Sequence, residues 1–126
     1  MDDSKEISAA INAASLACHQ AAVDGGWWHD LTTGRPLNRN KGEILCLIHS
    51  EVSECLEGVR TGCRDNHLPS RSSEEVELAD ALIRIFDYAG AFGLDLGGAM
   101  REKMAYNAQR ADHKPTNRRK PRGKKL

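Results

Sequence analysis

At 126 residues the chain is long enough to bury one real core, and 40% apolar with 29% charged side chains is the balance of a soluble globular protein. No apolar run approaches the roughly 20 residues of a membrane span, which excludes a transmembrane helix. The formal charge of zero conceals an asymmetry, because residues 1–113 hold 11 basic and 18 acidic side chains while residues 114–126 hold 7 basic and none acidic.

Met1 to Glu6 is acidic and precedes an alanine-rich stretch with no secretory layout, so no targeting signal is read and a cytoplasmic protein is expected. Cys18, Cys46, Cys55 and Cys63 contain no C-x-x-C, and Cys46 and Cys55 share one predicted helix. Reduced, mostly packing thiols are expected. The histidines at 19, 29, 49, 67 and 113 do not fall at a zinc-site spacing from these cysteines.

The first predicted helix is capped by Ser4, carries Ile7, Ala10, Ile11, Ala14, Cys18 and Ala21 at helical spacing, and stops at Gly25-Gly26. Gly26 to Asn40 has no period and reads as loop. Its adjacent Trp27 and Trp28 have two readings: they close the end of a helical core, or they stack on a nucleobase. The second helix begins near Asn40 or Lys41 and places Ile44, Leu45, Ile48, Val52, Cys55, Leu56 and Val59 on its apolar face. Glu51 borders that face and Glu54 lies farther round.

A polar connection, residues 61–72, turns the chain back. Ser72 and Glu75 then form a capping-box pattern for a third helix running to about Phe92. Val76, Leu78, Ala79, Leu82, Ile83, Ile85, Phe86 and Ala89 cover about half its circumference, which predicts packing on several sides. The narrow polar remainder holds Glu77, Asp80, Arg84 and Asp87. Arg84, one turn beyond Asp80, is expected to form an ion pair with Asp80 or Asp87, the alternative being a reach to a substrate phosphate. Asp95 caps a fourth helix with Met100, Met104 and Ala108 in line, and Lys103, Asn107 and Arg110 along another edge. An ion pair of that edge with Glu102 or Asp112 is the alternative to a substrate role. No strand-like alternation persists, so the expected fold is an all-α antiparallel four-helix bundle over residues 1–113. The tail K-P-T-N-R-R-K-P-R-G-K-K-L, residues 114–126, is expected to be disordered. It either serves solubility or folds back on the acidic body, or it touches nucleic-acid phosphates.

Two carboxylate pairs stand out, Glu51 with Glu54 and Glu77 with Asp80, each at i,i+3 and separated by 22 residues. Both members of a pair lie on one side of their helix, where their repulsion is destabilising. If the second and third helices pack antiparallel, the pairs converge across roughly 8–10 Å between axes. Four acids gathered in this way call for a hard divalent cation, and Mg2+ prefers oxygen ligands. Either pair alone would be an ordinary solvated face.

The order E-x-x-E, 22 residues, E-x-x-D, then K-M-A-Y-N-A-Q-R resembles the MazG-like all-α nucleoside triphosphate pyrophosphohydrolases, from about Trp27 to His113. The resemblance implies a MazG-like bundle completed by oligomerisation, as a homodimer or homotetramer. It implies cleavage of a nucleoside triphosphate to the monophosphate and pyrophosphate with Mg2+, or Mn2+ as substitute. Glu51, Glu54, Glu77 and Asp80 would hold the metal. Glu54, or else Glu51, would orient or deprotonate the attacking water. Lys103, Asn107 and Arg110 would bind the triphosphate; beyond what the resemblance fixes, the loop with Trp27, Trp28 and Asn40 is the expected base pocket. The competing reading is a non-catalytic helical module that senses nucleotides or binds nucleic acid through the tail.

Overall fold

The computed structural model describes residues 3–126. Among these it is all-α, with α1 (Asp3–Asp24), α2 (Lys41–Thr61), α3 (Ser73–Ala91), α4 (Leu96–Gln109), a 3-10 turn (Ala111–His113) and the short α5 (Pro115–Arg118). Extended pairing among the described residues is confined to two isolated antiparallel bridges, His29 with Pro36 and Arg64 with Ser72. No described helix is long and apolar enough to cross a membrane. The expected cap Ser4 lies one residue inside α1, so the helix starts earlier than the sequence suggests.

The chain divides into two compact units, Met1–Asn12 with Asp95–Leu126, and Ala13–Leu94. The change of charge at residue 113 is therefore not where the structure divides, and the basic segment belongs to the same unit as α4.

In Ala13–Leu94 the dominant packing is between α2 and α3. The Asn40 side chain caps α2 by accepting from the Glu43 amide, and Ser72 and Glu75 satisfy each other's amides in the capping box that starts α3. The pair is antiparallel: Cys55 lies against Glu74, and Glu51, one turn earlier on α2, reaches Arg84, farther along α3. A second approach brings α1 onto α3 at Gly90. A Cβ there would come 2.6 Å from both Ser15 O and His19 Cβ, so only glycine admits this closeness.

Trp28 closes the core of this unit. Its ring packs edge-on against His19 and Phe92, and its Nε1 donates to Asp87 Oδ1 at 2.9 Å. Ile44, Cys55, Ala81 and Ala89 are the other buried apolar residues. The broad apolar arc of α3 is only partly covered, since Leu78, Leu82 and Ile83 stay 48–50% exposed. Val52, Leu56 and Val59 on α2 are exposed as well.

In the other unit Asp95 caps α4 by accepting from the Gly98 amide, and Asn12 of α1 ties to the same cap by donating to Asp95 Oδ1 and accepting from the Gly97 amide. Met100 and Met104, the expected apolar line of α4, are exposed. All four cysteines are free; Cys55 is buried and Cys18 half-buried, but Cys46 and Cys63 are exposed and do not serve the packing role expected of them.

Candidate metal centre

Antiparallel pairing of α2 and α3 sets Glu51 opposite Glu77 and Asp80. One carboxylate oxygen from each of the three lies within 4.8 Å of the others. Glu51 is 8% exposed because it borders the apolar face of α2, whereas Glu54, turned about 60° away on the helix, is exposed and stands outside this triad. Glu54 still reaches Glu77, with which it shares a hydrogen bond. The four expected ligands therefore divide into three that converge and one at the margin.

The electrostatics follow from the crowding. Burial, then hydrogen bonds to Glu51 and Glu54 and the charges of both, push the Glu77 carboxyl up to about 7. Asp80 is raised as well, by burial first and by Glu51 next, with Arg84 pulling against them. Like charges that cannot all ionise share a proton instead. Arg84 does not pair with Asp80 or Asp87 as expected. Its Nε donates to Glu51 Oε1 at 2.6 Å, across the helix pair, because one turn beyond Asp80 the side chain faces α2 rather than running along its own helix.

A cavity of about 590 Å³ adjoins the triad, bordered by Glu51, Asp80, Arg84, Asp87, Arg39 and Trp27. The two tryptophans play different parts. Trp27 is 69% exposed at the cavity wall. Trp28 is not available for stacking: it is buried, its indole N–H is used by Asp87, and the Arg39 guanidinium covers its ring at 4.7 Å. Asp87 also pairs with His19 Nδ1 at 2.9 Å, so two ring nitrogens hold this carboxylate at the cavity edge.

Lys103, Asn107 and Arg110 belong to the other compact unit. Lys103 Nζ lies 4.8 Å from the Tyr106 ring. Arg110 forms two hydrogen bonds to Asp112, at 3.0 and 2.7 Å, which is the ion pair weighed against its substrate role. Asn107 Oδ1 is buried with no hydrogen-bond partner among the described residues.

The donor set suits a hard cation. It is all oxygen, it gathers three carboxylates, and it contains neither thiolate nor imidazole. Arg39 at the cavity wall and the pairing of Glu51 with Arg84 are features of this site that helical periodicity alone does not single out. No known protein family matches the chain, nor does any curated protein or solved structure.

Proposed function

We propose that the chain is a Mg2+-dependent nucleoside triphosphate pyrophosphohydrolase acting in control of nucleotide pools. The observation that carries this reading is the convergence of Glu51, Glu77 and Asp80 from two antiparallel helices beside a cavity with cationic and aromatic walls. It agrees with the order of carboxylates, lysine and asparagine on which the resemblance to MazG-like enzymes rests.

Glu51, Glu77 and Asp80 would hold Mg2+, with Glu54 at the rim. Such an ion would supply neutralisation of phosphate charge and a lowered pKa for the attacking water. Glu54, exposed and within reach of Glu77, accepts the proton of the attacking water. Arg84 holds Glu51 in place through its Nε. Arg39, at the cavity wall, offers positive charge to the triphosphate, and the free face of Trp27 takes the base. The exposed Leu56, Leu78, Leu82 and Ile83 are covered in a homodimer or homotetramer.

The test is pyrophosphate release from a panel of ribo-, deoxy- and modified nucleoside triphosphates with and without Mg2+. Turnover should require the metal and fall at least about a hundredfold in Glu54→Gln and Asp80→Asn, with the helical circular dichroism unchanged. Nucleotide binding without turnover of any member would replace this reading with a nucleotide-sensing module.

A further inference from the structure

We propose that the C-terminal turn is a built binding site for the phosphodiester backbone of nucleic acid, independent of the hydrolase reading. The segment 114–126 has seven basic residues and no acid, a composition that by itself predicts a disordered chain. The structure instead folds it. Asn117 Nδ2 donates to Ala111 O at 2.7 Å, and the Gly123 amide donates to Lys120 O at 2.8 Å. Arg118 Nε donates to Lys124 O, and Lys125 Nζ returns to Arg118 O, each at 3.3 Å.

Gly123 makes this closure possible. A Cβ at that position would stand 2.5 Å from Asn117 O and closer still to Arg118 O, both backbone atoms that cannot swing aside. Within the closed turn lies a recess of about 360 Å³ walled by His113, Arg118, Lys124, Lys125 and Leu126.

The charge in this recess is poorly neutralised. Among the described residues Asp112 is the acid within ion-pair distance of the segment's cations, 3.9 Å from Lys124, and it is already engaged at 2.7 Å by Arg110. Lys124 Nζ rests 3.1 Å from His113 Nε2, and burial together with Arg110 and Lys124 holds that imidazole below its usual pKa. A cluster of cations held together by backbone bonds is relieved by an anion. Seven cations along thirteen residues match a repeating phosphate better than a single one. The segment has no aromatic side chain to stack on bases, so recognition is of the backbone and is indifferent to sequence. Leu126 is its one large apolar side chain, too little to anchor in a lipid interface.

The test is fluorescence anisotropy of a labelled duplex and of a labelled single strand, titrated with the full chain as salt rises from about 50 to about 200 mM. Arg118→Gln/Lys124→Gln/Lys125→Gln should weaken binding at least about tenfold and lower the salt slope by about one for each phosphate that is no longer neutralised. Lys124→Gln/Lys125→Gln, which spares Arg118, should do the same to a smaller degree. Gly123→Ala retains every charge and should still lose several-fold in affinity, because the recess cannot close. Parent-like binding by the triple variant overturns the proposal, and parent-like binding by Gly123→Ala overturns the built site. Uptake by phosphatidylglycerol vesicles in preference to both nucleic acids also overturns it.

Discussion

Arg84 of α3 donates to Glu51 Oε1 of α2 at 2.6 Å, and that same glutamate belongs to the triad whose oxygens gather within 4.8 Å. The guanidinium thus balances a carboxylate that is only 10% exposed. Arg84 offsets part of the negative charge that Glu51, Glu77 and Asp80 gather at the helix pair.

Arg84→Gln should therefore destabilise the metal-free protein by about 1–2 kcal/mol, more than a surface pair contributes because Glu51 is left without its partner. Added Mg2+ should raise the urea midpoint of the variant more than that of the parent. Equal midpoints for both proteins in EDTA would contradict this account of Glu51.

Glu77 makes stability depend on pH in the direction opposite to that of most paired carboxylates. Its folded pKa, about 7, lies above its ordinary 4.5, so between these values the folded chain binds more protons than the unfolded one. Stability of the metal-free protein from this group is fully present below 4.5, falls as pH rises towards about 7, and is level above. Asp30, Glu75, Asp95 and Asp112, all lowered by hydrogen bonds, act in the other direction at acid pH. The difference between the parent and Glu77→Gln in EDTA isolates the effect: thermal melts should diverge towards neutral pH, with the variant gaining relative to the parent. Mg2+ should reduce that divergence.

Trp28→Phe keeps the ring contacts with His19 and Phe92 but removes the N–H that Asp87 accepts. The loss should cost about 1–2 kcal/mol in denaturant melts, since a part-buried carboxylate keeps only His19 as partner. Trp27→Phe, at an exposed ring, should change stability by less than about 0.5 kcal/mol and act on substrate KM instead.

Leu82→Glu and Leu56→Glu test the uncovered apolar surface of α3 and α2. Each should lower the assembly state in analytical ultracentrifugation while leaving helicity intact. A parent that sediments as a monomer at all concentrations would remove the basis for the assembly.

Most helix boundaries were legible because their signals are local: Ser72 with Glu75, and Asp95, cap the helices they were expected to cap, and α2 begins at Lys41 as expected, whereas Ser4 falls inside α1. The meeting of Glu51 with Glu77 and Asp80 was also legible, because i,i+3 spacing on two packed helices leaves few other arrangements. What could not be read is which of several nearby acids a given cation takes. Arg84 has acids of its own helix one turn away on either side, and only the relative rotation of α2 and α3 decides for Glu51. Adjacent Trp27 and Trp28 carry identical local information, yet one is sealed and one is not. In the tail, composition argued for disorder, and the backbone approach at Gly123 has no signature in hydrophobic pattern.

That division between the tryptophans gives the chain a built-in optical reporter. It has two indoles, one enclosed and hydrogen-bonded to Asp87 and one in water at the cavity wall. Blue-shifted emission should come from Trp28 and red-shifted emission from Trp27. A ligand entering the cavity should quench the red component alone, while unfolding moves the blue one, so occupancy and integrity can be followed separately in a single spectrum without a label.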